Sequence, residues 1–109
     1  MPTRPDTLQG SLPLLVLTIL ARRGPMHGYG ITAHIQRLSD ALRVEEGSLY
    51  PALHRMEEAG WIKARQITTD NKRRACAYEI TAEGRRQLGV EEERWRSTTG
   101  AVNHVLKHA

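Results

Sequence analysis

Apolar residues recur along this chain in helical stripes rather than alternating runs, and that periodicity restricts it to a mainly α architecture. Leu12, Leu15, Val16, Ile19 and Leu20 line one face of a first helix. Ser11 is its expected cap, Pro13 falls in its tolerant first turn, and Gly24-Pro25 stops it. A second helix is predicted over about 28–38, with Ile31, Ile35 and Leu38 inward and Ser39-Asp40 as its break. The third starts near Glu45-Glu46, whose charges suit the positive end of the helix dipole, and ends at Gly60. Leu49, Leu53 and Met56 form its core stripe, which leaves Ser48, Tyr50, Pro51, His54 and Arg55 facing outward.

The period changes once. From Trp61 to Thr68, and again from Ala75 to Thr81, the pattern is strand-like, with Cys76, Tyr78 and Ile80 alternating against Ala77 and Glu79. Between them lies a polar turn, Thr69-Asp70-Asn71-Lys72-Arg73-Arg74, in which Asn71 suits a positive φ. The result is a hairpin with a cationic tip. From Thr81, an expected N-cap, a last helix runs almost to the end. Leu88, Trp95 and Val102 are seven residues apart, and Thr99 and Leu106 continue the seam. Gly89 and Gly100 each weaken that helix by about 1 kcal/mol relative to Ala. A protruding helix so handicapped needs a surface to pack on, and a second subunit supplies it most simply.

Charge and cysteine content narrow the function. The net charge is +4, and residues 63–74 hold five cations (Lys63, Arg65, Lys72, Arg73, Arg74) against Asp70 alone, so the basic excess is local and points to a polyanion. One cysteine, Cys76, excludes an internal disulfide and a multi-cysteine zinc site; it reads as a small strand residue, with a redox-sensing thiol as the alternative. The run Leu12–Ala21 is too short to span a bilayer, and Pro13 and Arg22-Arg23 argue against a signal peptide, so a soluble cytoplasmic protein is expected. The five histidines, His27, His34, His54, His104 and His108, form no nucleophile–base set, which argues against an enzyme. His104 and His108 are four apart and able to face one metal ion, but with no nearby carboxylate or thiol such a site is expected to be adventitious. No cofactor is expected.

Three helices, a two-stranded wing and a long helix give the layout of a winged helix-turn-helix. The expected organisation is an arm over 1–7, a DNA-binding domain over 8–81 and a dimerisation helix over 82–109. The motifs go further. Gly24-Pro25-Met26-His27-Gly28-Tyr29-Gly30-Ile31 resembles the L-x-H-G-Y-x-I signature of the PadR-like transcriptional regulators. Gly47-Ser48-Leu49-Tyr50-Pro51-Ala52-Leu53-His54-Arg55-Met56-Glu57 is similar to that family's G-[ST]-L-Y-P-x-L-x-R-L-E recognition helix, and Tyr78-Glu79-Ile80-Thr81-Ala82-Glu83-Gly84 to its exit from the wing. The departures are Gly30, where a bulkier residue is usual, and Met56, where Leu is usual.

The resemblance implies a homodimer on double-stranded DNA, a repressor by family default, with an inverted-repeat operator. Ser48 and Tyr50 are placed for phosphates or base edges, Pro51 for a thymine methyl, and His54 and Arg55 for bases or phosphate. Lys72, Arg73 and Arg74 of the wing would hold the backbone or a minor groove. Two structural alternatives stay open: Tyr50 packing on the second helix, and Arg55 paired with Glu58. The dimer would form by the last helix packing on the partner's first and last helices, through Leu88, Trp95, Val102 and Leu106. Trp95 reads as interface core. Its alternative, implied by some short members of the family, is one of a tryptophan pair holding a planar aromatic effector, a cationic one given Glu91 and Glu92. His27 and Tyr29 are expected to pack or cap at the start of the second helix. A winged-helix module for protein or RNA contact is the other class of function to be weighed.

Overall fold

The chain, seen in a computed structural model that describes residues 6–68 and 74–109, runs α1 (Asp6–Arg23), β1 (Met26–His27), α2 (Gly28–Leu38), α3 (Glu46–Glu58), β2 (Ile62–Thr68), β3 (Arg74–Ile80) and α4 (Ala82–His108). α1 starts five residues before Ser11, so Asp6 and Thr7 belong to a helix rather than to the expected arm, and Pro13 lies inside it. Pro13 forgoes one backbone bond, and the burial of Leu12, Val16, Leu17 and Leu20 around it offsets that loss. Leu17 was not in the expected stripe. It is buried as completely as Val16, because α1 is the central helix with neighbours on several sides, whereas Leu15 is only partly buried. α1 ends as expected, at Gly24, with φ +87° and its N–H on the Leu20 carbonyl at 3.1 Å.

α2 buries Ile31 and Ile35 together with His34, but Leu38 is 71% exposed, contrary to expectation. Leu38 is on the right face, but it is the last helical residue and the described elements leave most of it uncovered. α3 buries Leu49, Ala52, Leu53 and Met56. It closes in a Schellman turn: Gly60 has φ +84° and donates to the Glu57 carbonyl at 3.0 Å, and Trp61 donates to Met56 at 3.0 Å.

The sheet has three strands rather than two, in the order β1-β3-β2, all antiparallel. Met26 pairs with Tyr78 and His27 with Ala77, so a two-residue strand too short to leave a periodic signal ties the α1–α2 link to the hairpin. In the hairpin, Ile62 pairs with Ile80 and Thr68 with Arg74. Only Ile62 of β2 is fully buried, and Lys63 to Gln66 are exposed, so the outer hairpin projects as a wing.

The start of α4 is joined to the start of β2. Thr81 caps α4 by accepting the Gly84 N–H at 3.0 Å, and its hydroxyl lies 2.6 Å from the Gly60 carbonyl and 3.0 Å from that of Trp61. Its own N–H donates to Trp61 at 3.0 Å. Beyond this joint α4 packs along α1 and then leaves it, and every residue from 100 to 109 is exposed. The Cα radius of gyration is 15.5 Å, against about 13 Å for a compact chain of this length, and the protruding helix accounts for the difference.

Candidate nucleic-acid interface

The outward face of α3 follows from its core stripe. Burying Leu49, Ala52, Leu53 and Met56 turns Tyr50, Pro51, His54 and Arg55 into solvent, while Ser48 is half-buried. Pro51 withholds a donor from the Gly47 carbonyl, and Gly47 is exposed, so water can take its place. Arg55 makes no ion pair with any described residue: the carboxylate of Glu58 is met by His54 Nε2 at 3.3 Å instead. The alternative Arg55–Glu58 pair is therefore absent, and Arg55 is exposed on the same helix face as Tyr50 and His54.

Tyr50 does two things at once. Its ring lies against the first residue of α2, so closely that a Cβ on Gly28 would fall 2.6 Å from the phenol oxygen, yet the residue is 41% exposed. Packing and exposure are both present: one face is seated on Gly28 and the rest is open. The seat is fixed in turn by His27, which caps α2 through Nδ1 accepting the Gly30 N–H at 2.9 Å. Met26 Cγ would lie 2.9 Å from a Cβ on Gly30, so a bulkier residue there requires Met26 to move. Tyr29, 69% exposed, stacks on His27 with ring centroids 6.1 Å apart.

The wing carries Lys63 and Arg65 on β2, both exposed. Arg65 NH1 meets Glu79 Oε1 at 3.0 Å across the hairpin, so part of that positive charge is balanced locally. Arg74 opens β3 opposite Thr68; Lys72 and Arg73 lie outside the described residues. Cys76 is partly buried on β3. The neighbouring Tyr78 phenol is pushed up to about 12, by burial first and then by Cys76, so it stays protonated.

The second face is α4. Leu88 is half-buried against its own core, whereas Trp95 is 50%, Val102 51% and Leu106 76% exposed. Trp95 borders an open groove of about 360 Å³ between α1, the end of α2 and α4, lined also by Leu14, Ile19, Leu38, Leu42 and Glu92. On its other side, a hollow of about 230 Å³ includes Glu91, which is buried and accepts from Gln87 Nε2 at 3.0 Å and Arg94 NH1 at 3.3 Å. Sequence reasoning missed this groove because Leu14, Leu38 and Leu42 come from three segments. The rings of His104 and His108 lie 4.4 Å apart on the last turns. Among the described residues no group of three or more His, Cys, Asp or Glu is placed to hold a metal, and no helix is long and apolar enough to cross a membrane.

Known proteins share both the sequence and the fold. A family model described as the transcriptional regulator PadR-like family matches residues 16–90. Transcriptional regulator Rv3488 of Mycobacterium tuberculosis is 34% identical over 84 residues, covering 73% of this chain and 76% of its own. A transcriptional regulator from Clostridium thermocellum superposes with a TM-score of 0.83 at 31% identity, over 92% of this chain and 97% of that one. A PadR-like transcriptional regulator from Bacillus cereus gives 0.80 at 26% identity, over 96% and 100%.

Proposed function

The chain belongs to the PadR-like family of transcriptional regulators, and from that premise we propose that it is a repressor that binds an inverted-repeat operator as a homodimer. The observation that carries the DNA reading is the cluster on α3: Tyr50, Pro51, His54 and an unpaired Arg55 exposed on one face. Such a face suits the major groove, where an arginine reads guanine with two hydrogen bonds and an apolar ring meets a thymine methyl. Ser48 and Tyr50 lie nearer the helix N-terminus, where phosphate is favoured. The wing residues Lys72, Arg73 and Arg74 add backbone contacts that give affinity without sequence.

Dimerisation is supported by the last three turns of α4, where Val102, Val105 and Leu106 are each more than half exposed. A partner packing on this stripe and on Trp95 would cover the apolar groove beside α1. Two recognition helices then face half-sites about 34–36 Å apart. The test is retention of duplex DNA from the protein's own upstream region in the presence of excess competitor. Retention lost in Arg55→Ala supports the reading; competitor-sensitive binding that no selected sequence improves refutes it in favour of a protein-interaction module.

The groove itself favours a second element of regulation. Trp95, half exposed, borders it with Glu92, Arg22 and Arg96, and Glu91 lies behind, paired with Arg94. The ring offers a planar aromatic its π-face, and Glu92 is the rim charge that would favour a cationic one. Such a compound would relieve repression. Quenching of tryptophan fluorescence by a cationic dye, retained in Trp61→Phe and lost in Trp95→Phe, is the expected result.

A further inference from the structure

A second hollow, of about 370 Å³, opens where the end of α1 meets α2, lined by Thr18, Ile19, Arg22, Arg23, His34 and Leu38. It adjoins the Trp95 groove, sharing Thr18, Ile19, Arg22 and Leu38 with it, and differs by Arg23 and His34. Arg22 and Arg23 close α1, Arg37 closes α2, and none of the three makes an ion pair with a described residue. Between them sits His34, which is 7% exposed.

The hydrogen bonds fix what His34 offers. Arg37 NH2 lies 3.0 Å from His34 Nδ1. A guanidinium can only donate, so Nδ1 accepts and the ring proton is on Nε2. Nε2 has no partner among the described residues, yet no sealed, unsatisfied polar atom is found, so it must reach solvent through the hollow. Burial first, then the charges of Arg23 and Arg37, hold the imidazole below its ordinary value and keep it a neutral N–H donor. Thr18 gives its own proton to the Leu14 carbonyl at 2.7 Å and supplies no donor here. One fixed N–H and two flanking guanidinium groups, over an apolar floor of Ile19 and Leu38, form a donor set without an acceptor anion.

We propose that this hollow is a site for a small oxyanion, a carboxylate or phosphate group, held by the His34 Nε2–H and the guanidinium groups of Arg22 and Arg23. It is separate from the DNA-reading face, because no residue of α3, β2 or β3 lines it. The occupant proposed is therefore a free anion rather than the DNA that α3 and the wing would meet. A carboxylate of a second copy of the chain is the rival.

The test follows the His34 ring protons of the full chain by NMR at about pH 7.5, where an unperturbed imidazole is neutral. Sodium phosphate and sodium acetate are titrated separately, with sodium chloride at matched ionic strength as the reference. The expected result is a saturable shift of His34 with phosphate, acetate or both. His54 and His104 should stay unmoved, and Arg22→Gln/Arg23→Gln should weaken binding about tenfold. Those two arginines are exposed, so the unshifted histidines also report that the variant is folded. A response to one anion alone assigns its class. An equal shift in chloride, no loss in the double variant, or a shift that follows protein concentration without added anion would each overturn the proposal.

Discussion

The carbonyl of Trp61 occupies the space that a Cβ on Gly84 would need. Gly84 is in the first turn of α4 and Trp61 just precedes β2, so the only residue that fits at position 84 is one with no side chain. Gly84→Ala forces backbone apart rather than a flexible side chain, and a loss of about 1–3 kcal/mol in unfolding free energy is expected by urea denaturation. Thr81→Ala removes the cap and the hydroxyl contacts to Gly60 and Trp61, and about 1–2 kcal/mol should go with them.

Gly28→Ala tests whether α2 sets the pose of Tyr50. The added Cβ meets the open end of a ring that can swing outward, so the stability loss should stay below about 1 kcal/mol. Operator affinity should fall by more than that. Gly28→Ala/Tyr50→Ala should regain stability without regaining affinity, as read by parallel denaturation and gel-shift titrations.

Arg55→Ala should cost about 1–3 kcal/mol on operator DNA and relax preference at one base pair. Lys72→Ala should weaken all sequences alike and reduce the slope of log affinity against log salt by about one ion. A salt titration of both variants against specific and random duplexes separates the two roles.

Val102→Glu/Leu106→Glu places charge where each protomer is already open to water, so helicity by circular dichroism should hold. In sedimentation equilibrium the proposed dimer should dissociate with a constant raised about a hundredfold or more. Leu88→Ala should instead destabilise the protomer, because Leu88 packs on its own core.

His34 gives a pH dependence of definite sign. Its folded-state value lies below the ordinary 6.5, so the unfolded chain binds the proton more readily. The stabilisation is complete above 6.5 and is lost as pH falls through the depressed folded-state value. Burial contributes most to the shift, and Arg23 on α1 and Arg37 on α2 add to it. Thermal melts in chloride buffer should drop more steeply below 6.5 for the natural chain than for His34→Gln.

Much of this architecture is legible in the chain because the relevant signals are local. The core stripe Leu49, Leu53, Met56 fixes the outward face of α3, Gly24 and Gly60 mark helix ends through the one conformation they favour, and Thr81 caps α4. What escapes is non-local. β1 is two residues long and exists only because β3 lies beside it. Leu17 is buried because α1 is surrounded, and Leu38 is mostly exposed because it ends α2 at the mouth of a groove, neither of which periodicity encodes. The packing of Tyr50 on α2 is one of the alternatives the sequence leaves open, but its seat on Gly28, like the cationic hollow between α1 and α2, joins residues far apart in the chain.

The interlock of Thr81 and Gly84 with Gly60 and Trp61 makes α4 a lever with its fulcrum beside the wing. A helix of 27 residues is about 40 Å long, so turning it by about 10° at that pivot sweeps the far end through about 7 Å. That is about two base-pair steps. With the free ends held by a partner, the same small turn would appear instead as a change in the separation of two reading heads, enough to take one of them out of register with its half-site.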